Sequence, residues 1–388
     1  MYKTTGGSGW TRPGPAGQLL SKLWQVSKIR KVTAQLFDGR DIHYFDDASS
    51  MLPQQRKPDR REPAQRPELA ELRHDPLTNE WIAVASHRHT RAFLPPTSQC
   101  PLCPATDQNL SEVPDNFDVA VFENKNPAFG ALVSGQTPED LTSSGTFGLG
   151  DKRPAVGKCE VIVFSPEHDG SLGQMPVARV HTVLEALADR TDELQRLPGV
   201  KQVFPFENRG EEIGVTLHHP HGQIYSYPYV APRTQRLIEA VSKNQNLFDE
   251  IIKFEAASSR VLLESDSFIS YVPFAARWPI EAHLLPKRAV KNHSELTDDE
   301  RLELASMYSS LLRAFETVYE TPSPYIAAWH QAPIIDAGKN LRLQLQITSP
   351  RRAKDKLKYL AGSESAMGAF IADISAETIA DQLKKALS

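Results

Sequence analysis

His219-Pro220-His221-Gly222-Gln223 is the stretch on which the reading of this chain turns. It lies between two alternating apolar runs, residues 212–217 (Glu-Ile-Gly-Val-Thr-Leu) and 224–229 (Ile-Tyr-Ser-Tyr-Pro-Tyr), and the alternation predicts a strand on either side. Side chains alternate across a strand, so His219, His221 and Gln223 are expected on one face, and Pro220 and Gly222 on the other. Two imidazoles and a carboxamide in a row are too polar to fill a core. An imidazole so placed can attack phosphorus, and the amide of Gln223 can donate to the oxygens of the transferred group. Pro220 fixes its own φ, and Gly222 leaves room for a ligand near the backbone. A surface loop that happens to hold histidines is the competing interpretation, and the flanking strands and Gln223 weigh against it.

At 388 residues the chain has room for two core-bearing domains or one pseudo-duplicated domain. A net charge of −4 gives no electrostatic case for a nucleic-acid partner, and no apolar run approaches the ~18 residues a membrane span needs. Cys100, Cys103 and Cys159 are the only cysteines. An odd number that includes a Cys-x-x-Cys pair argues against a disulfide framework. It points to a reducing, cytoplasmic setting and to a metal or redox role for the pair.

Residues 1–66 read as an N-terminal extension, partly disordered, with a hairpin and a linker. Residues 1–30 are punctuated by Gly, Ser and Pro, and no acidic residue precedes Asp38. The stretch still lacks the sustained Arg-rich amphipathic pattern of a transit peptide, so deleting residues 1–29 is expected to leave activity intact. Residues 32–37 and 41–45 flank Asp38-Gly39 and predict a β-hairpin. A Pro- and charge-rich linker follows over residues 48–67, and the main body is expected to begin near Leu72. The strand at residues 81–85 runs into Ser86-His87-Arg88-His89-Thr90-Arg91. There Arg88 and Arg91 offer two guanidinium forks to a diphosphate, with two solvated arginines as the plain alternative.

Cys100-Pro101-Leu102-Cys103-Pro104 can be half a zinc site, a redox pair or incidental. A redox pair belongs at the start of a helix, and Pro104 favours a knuckle-like turn instead. His168 and His219 are candidates for two further ligands, at a spacing too wide for a compact finger. Cys159 reads as a buried apolar residue. Residues 119–127 predict a strand with a polar end, residues 134–157 a mobile loop rich in Gly, Ser, Thr and Pro, and residues 176–196 a helix with Pro176 in its first turn.

Residues 214–224, Gly-Val-Thr-Leu-His-His-Pro-His-Gly-Gln-Ile, resemble the active-site motif of the galactose-1-phosphate uridylyltransferases, the transferase branch of the histidine-triad superfamily. The resemblance runs from about Leu72 to the C-terminus. It implies a ping-pong exchange of UMP between UDP-glucose and galactose 1-phosphate, with His221 as the nucleophile and Gln223 beside it. Histidine-triad hydrolases commonly carry a third His where Gln223 stands. A neutral amide cannot shuttle protons, so transfer is favoured over hydrolysis. Carried over by position, Arg88 and Arg91 contact UDP, Phe122 the uracil and Asn124 the ribose, with Lys125 standing where the family often has Asp. Asn208 and the hydroxyl of Thr216 hold phosphates. Lys358 and Glu364 meet the hexose phosphate and the sugar hydroxyls, from a segment that in the family reaches a neighbouring subunit, which implies a homodimer. The family's zinc ligands match Cys100, Cys103, His168 and His219 and imply one structural Zn2+.

The second half repeats the first. Residues 159–223 and 280–347 each predict strand, helix, strand, turn and strand, the second helix opening on the capping box Thr297-Asp298-Asp299-Glu300. The expected fold is therefore α+β: two histidine-triad-like halves, residues 67–232 and 233–388, sharing a mostly antiparallel sheet flanked by helices. In the second half the His-x-His pair has become Gln344-Leu345-Gln346. Many relatives bind iron there through two such histidines, a Glu and the residue matching His330. The Glu position falls on Leu237, so no iron site is expected. Two rival functions stay open: a related phosphorylase or nucleotidyltransferase acting on ADP-sugars or dinucleoside polyphosphates, and a zinc-stabilised nucleotide-binding protein without chemistry.

Overall fold

The computed structural model describes residues 28–62, 66–90, 94–132 and 136–388. The strands β1 (Arg30–Gln35) and β2 (Asp41–Asp46) close the predicted hairpin, Leu36 N–H donating to Arg40 O at 2.8 Å across a turn in which Gly39 takes φ +82°. The hairpin is no appendage. β2 pairs with β5 (Val119–Glu123), after β3 (Glu71–Asp75) and β4 (Glu80–Val84) have formed a separate small sheet. The body thus begins at Arg30, not near Leu72, because the hairpin's second strand buries Ile42, Tyr44 and Phe45. The expected linker is also tied down. The Arg56 guanidinium bonds the buried Asp46 carboxylate and lies 4.7 Å from the Tyr44 ring centre, and Lys57 N–H donates to Asp115 at 3.1 Å. The stretch expected as a loop over residues 134–157 contains β6 (Lys152–Pro154), which pairs with β3.

The remaining strands of the long sheet are β7 (Lys158–Val163), β8 (Gln202–Arg209), β9 (His221–Tyr227), β10 (Val261–Glu264), β11 (Phe268–Tyr271), β12 (Ile280–Pro286), β13 (Tyr325–His330) and β14 (Gln344–Ser349). Their order is β1-β2-β5-β7-β9-β8-β13-β14-β12-β11-β10, antiparallel throughout. Read outward from the β8–β13 seam, the order is the same in both directions: β9, β7, β5 on one side and β14, β12, β11 on the other. The register obeys the same pseudo-dyad. Gln223 faces Val161 and Phe206, and Gln346 faces His283 and Ala328. Two halves share one sheet, as the repeat in the sequence predicts.

In chain order the helices are α1 (Val177–Leu194), α2 (Pro232–Lys243), α3 (Leu247–Ala256), α4 (Asp298–Thr317) and α5 (Ala376–Leu387). The α1 residues Val180, Leu184 and Leu187 share one core with Leu304, Leu311 and Phe315 of α4 and with Ile162, Ile224, Leu345 and Ile347 of the sheet. Each such side chain contributes about 1.5–3 kcal/mol by leaving water, and together they close one face of the sheet. Thr297 caps α4 as predicted, its hydroxyl accepting from Glu300 N–H at 3.2 Å while Thr297 N–H donates back to Glu300 at 2.8 Å. Pro176 sits one position earlier than expected, at the N-cap of α1, where its carbonyl accepts from Arg179 N–H at 2.9 Å.

One predicted strand is absent. Residues 212–217 alternate like a strand, but Gly210 (φ +104°) and Gly214 (φ +84°) adopt left-handed angles, and Glu211–Ile213 forms a single 3-10 turn between them. No ladder survives two such breaks in five residues. β9 begins only at His221, so His219 precedes it rather than sharing its outward face.

Candidate active site

β9 has the burial rhythm of a strand with one open face: His221, Gln223, Tyr225 and Tyr227 are half-buried, whereas Gly222, Ile224 and Ser226 are buried. The small size of Gly222 is explained on the closed side. A Cβ there would stand 3.0 Å from Phe164 Cζ and from Phe206 O and 3.2 Å from Ile162 Cγ2. It is glycine to let the core press against the strand, and not to admit a ligand as the sequence suggests. His221 Nδ1 lies 2.7 Å from His219 O. A carbonyl can only accept, so Nδ1 carries the proton and Nε2 is left with its lone pair. This is the tautomer a nucleophile needs.

His221 borders two cavities. The one of about 590 Å³ is lined by Arg88, Phe122, Asn124, Asn208, Thr216, His221 and Gln223, so seven residues singled out in the sequence converge on one cleft. Arg88 comes from the 3-10 turn Ser86–Thr90 after β4, Phe122 and Asn124 from the end of β5, Asn208 from β8, and Thr216 from the glycine-bounded loop. Arg91 lies outside the described residues. Tyr225 completes the group and was missed, although it follows Gln223 by the two residues that return a strand to the same face. Its hydroxyl donates to Gln223 Oε1 at 3.1 Å and accepts from Arg88 at 3.3 Å. With its oxygen so engaged, the Gln223 amide turns its N–H groups elsewhere, as donors suited to phosphoryl oxygen. The second cavity, about 610 Å³, opens between Asn208, Arg209, His218 and His221 on one side and Pro322–Pro324 on the other.

Directly before β9, Cys100, Cys103, His168 and His219 bring four ligand atoms within 4.8 Å of one another. Cys100 Sγ and Cys103 Sγ stand 3.7 and 3.4 Å from His219 Nδ1, and Cys103 Sγ 3.5 Å from His168 Nδ1. Ligands at zinc-like bond lengths on tetrahedral corners sit about 3.6 Å apart, so the spacing fits one four-coordinate ion. The tautomer fits too. His219 Nε2 donates to Ser165 O at 2.8 Å, leaving Nδ1 aimed at the thiols. Burial lowers the His219 pKa to about 4, which keeps it a neutral ligand, and burial followed by the neighbouring Cys100 pushes the Cys103 thiol up to about 12. A cation between the sulfurs would reverse that penalty. Cys159 is apart from this cluster, buried among Ala70, Leu72 and Phe129.

Lys358 and Glu364 are not brought to His221. The buried Lys358 ammonium lies 3.6 Å from Glu364 and 3.5 Å from Asp373, bonds Ile371 O, and lines neither cavity beside His221. In the second half, Gln346 donates to Gln344 Oε1 at 3.0 Å and accepts from Arg233. His330 lies in the same cleft, its pKa lowered to about 3 by burial and then by Arg233 and His283.

Known proteins resemble this chain in both sequence and fold. The sequence model of the galactose-1-phosphate uridyl transferase N-terminal domain matches residues 60–231, and that of its C-terminal domain residues 230–388. A galactose-1-phosphate uridylyltransferase from Streptomyces lividans is 38% identical over 314 residues, 79% of this chain and 81% of that protein. One from Thermotoga maritima is 32% identical over 324 residues, 82% of this chain and 98% of that protein. A solved uridylyltransferase structure superposes with a TM-score of 0.72 at 32% identity, covering 82% of this chain and 98% of that one. An ADP-glucose phosphorylase from Arabidopsis thaliana, solved with ADP-glucose, shares the fold at a TM-score of 0.62 and 24% identity, over 82% of this chain and 99% of its own. With both family domains matched across residues 60–388, the chain belongs to the galactose-1-phosphate uridylyltransferase family.

Proposed function

We propose that the chain exchanges a uridylyl group between UDP-glucose and galactose 1-phosphate through a covalent uridylyl-His221. The observation that carries this is the 2.7 Å bond from His221 Nδ1 to His219 O, which leaves Nε2 unprotonated in a cleft shared with Arg88, Asn208, Thr216 and Gln223. Nε2 attacks the α-phosphorus of UDP-glucose, the bond to the bridging oxygen breaks, and glucose 1-phosphate leaves with the electron pair. A phosphate oxygen of galactose 1-phosphate then attacks the same phosphorus, UDP-galactose departs, and His221 is regenerated. Donors from Gln223, Arg88 and Thr216 meet the charge that builds on the phosphoryl oxygens. Phe122 and Asn124 take the uracil and ribose, and Arg91 is assigned to the diphosphate with Arg88.

Cys100, Cys103, His168 and His219 would hold one Zn2+, which supplies no chemistry but fixes the carbonyl of His219 that orients His221. No iron is expected where Gln344 and Gln346 replace ligands. Lys358 is assigned to the hexose phosphate and Glu364 to the sugar hydroxyls of a neighbouring subunit's site, in a homodimer. That neither residue lines the cavities beside His221 within one chain supports that assignment. The free thiols of all three cysteines are consistent with a cytoplasmic setting.

Initial rates with both substrates varied test the reaction: parallel double-reciprocal lines are expected, and intersecting lines would refute the covalent route. ADP-glucose in place of UDP-glucose should support little transfer; equal rates would favour a phosphorylase-like enzyme.

A further inference from the structure

The pseudo-dyad that relates the two halves also relates two clefts. The register places Gln346 at the position of Gln223, Gln344 at that of His221 and His330 at that of Asn208. All three line a cavity of about 750 Å³ in the second half, as roomy as the nucleotide cleft of about 590 Å³ in the first.

Its walls have an unusual charge. Arg233, Arg236 and Arg277 all line it, and the carboxylates beside them are committed elsewhere: Glu255 to Arg260 at 2.6 Å, and Glu281 to His283 at 2.9 Å and to the N–H groups of Arg277 and Trp278. Among the described residues none of the three arginines has an ion-pair partner. Two of them sit early in α2, whose first turn holds no acidic residue. Cations at a helix N-terminus work against the dipole, whereas an anion there is stabilised by it. This local conflict is relieved if the space in front of α2 holds negative charge. Burial and then the nearby Arg277 hold the Arg233 pKa below its ordinary value, with Glu281 opposing. Aromatic rings complete the rim. Trp278 and Phe370 stand 6.1 Å apart, Phe254 and Phe274 5.9 Å apart, and Phe274 is 67% exposed. Arg260 stands over the Phe254 and Phe274 rings at 5.5 and 5.2 Å, and Arg277 over Phe370 at 5.9 Å; aromatic rings so mixed with guanidinium groups suit a base stacked next to phosphates.

We propose that the second-half cleft is a non-catalytic binding site for a nucleoside diphosphate or its sugar ester. The diphosphate lies against Arg233, Arg277 and the N-terminus of α2, and the base among Trp278, Phe254 and Phe274. Gln344 stands where His221 stands, and an amide is no nucleophile toward phosphorus, so the occupant is held and not cleaved.

Equilibrium dialysis of the full-length protein with UDP, and separately with ADP, tests this. Wild type is expected to bind two nucleotides per chain of at least one of the two. The R233Q/R277Q double variant should bind one and keep a uridylyl-transfer rate within about twofold of wild type, since neither arginine touches the His221 cleft. Trp278→Ala, which leaves the charges in place, should weaken the second site about tenfold. Arg88→Gln should weaken only the first, so a failure of the proposed reaction and a failure of this site are read separately. One nucleotide per chain in wild type for both probes, or two still bound by the double variant, would overturn the proposal.

Discussion

At the residue scale the site turns on who holds whose proton. His219 O accepts from His221 Nδ1, and the Tyr225 hydroxyl donates to Gln223 Oε1, so a carbonyl and a phenol preset the two groups proposed to meet phosphorus. Removing the Gln223 donor by Gln223→Ala should lower kcat about a hundredfold, the usual cost of one donor to developing charge, with KM little changed. Tyr225→Phe leaves the amide in place but free to flip, and should lower kcat by up to about tenfold, matching about 0.5–1.5 kcal/mol for one neutral hydrogen bond. Steady-state kinetics check both; unchanged kcat in either variant would remove that residue from the site. The sequence made most of this legible, because His221, Gln223 and Tyr225 ride a strand whose period of two is visible in their spacing. It misassigned Gly222, since the ring of Phe164 and the carbonyl of Phe206 that crowd it come from elsewhere in the chain. Sequence alternation carries no information about what presses from the far side of a sheet.

At the scale of elements, two devices set the strand that carries His221. The first is the Cys100–Cys103–His168–His219 cluster, which joins the knuckle after the Ser86–Thr90 turn to the segment entering β9. Stripping a bound metal with a chelator should lower Tm by roughly 2–3 °C, equivalent to about 2 kcal/mol in a chain this long, and abolish transfer. Cys103→Ser should do the same without chelator. Melting curves that do not move would show that the cluster braces nothing. The second is the β8–β13 seam. There Glu207 is fully buried, accepts from Tyr325 at 3.0 Å, and has its pKa raised to about 7, first by burial. A raised folded-state value means that the carboxyl contributes full stability below about pH 4.5 and loses it as pH climbs through 7. Glu207→Gln should therefore gain about 3 kcal/mol on wild type at pH 8 relative to pH 4.5, read by urea unfolding at both values. An equal offset at the two pH values would contradict it. Element boundaries were legible where periodicity was uninterrupted, as in α4 with its capping box. They failed at residues 212–217, where alternation continued through Gly210 and Gly214. Positive φ at both glycines turns the segment into a loop that puts Thr216 on the cleft. The N-terminal hairpin was recognised but misplaced, because local pattern names a strand and not its neighbour.

On the scale of the whole molecule, duplication explains the architecture. One sheet continues through β8 and β13, the helices α1, α4 and α5 close the main core on one face, α2 and α3 pack in a separate cluster with Ile269, Tyr271 and Leu285, and each half carries a cleft. That repeat was visible in the order of elements, whereas the charge and aromatic lining of the second cleft emerges only when residues 232–285 and 330–370 come together. Closing so much core also buries imidazoles away from the Cys100–Cys103–His168–His219 cluster. His43 is lowered to about 4 and His293 to about 3, in each case chiefly by burial. Their folded-state values lie below the unfolded 6.5, so their stabilisation is complete above 6.5 and is lost as pH falls toward 4. Together the two cost about 5 kcal/mol by pH 4.5, Glu207 offsets about half of that, and Tm should fall by roughly 3 °C between pH 7 and 4.5. A flat profile over that range would refute the buried neutral pair. The most direct test of the central claim is the intact mass of the protein after incubation with UDP-glucose and no acceptor. Wild type should gain one uridylyl group, released on adding galactose 1-phosphate, and His221→Asn should gain nothing; no adduct on wild type, or an adduct that survives His221→Asn, would contradict the account.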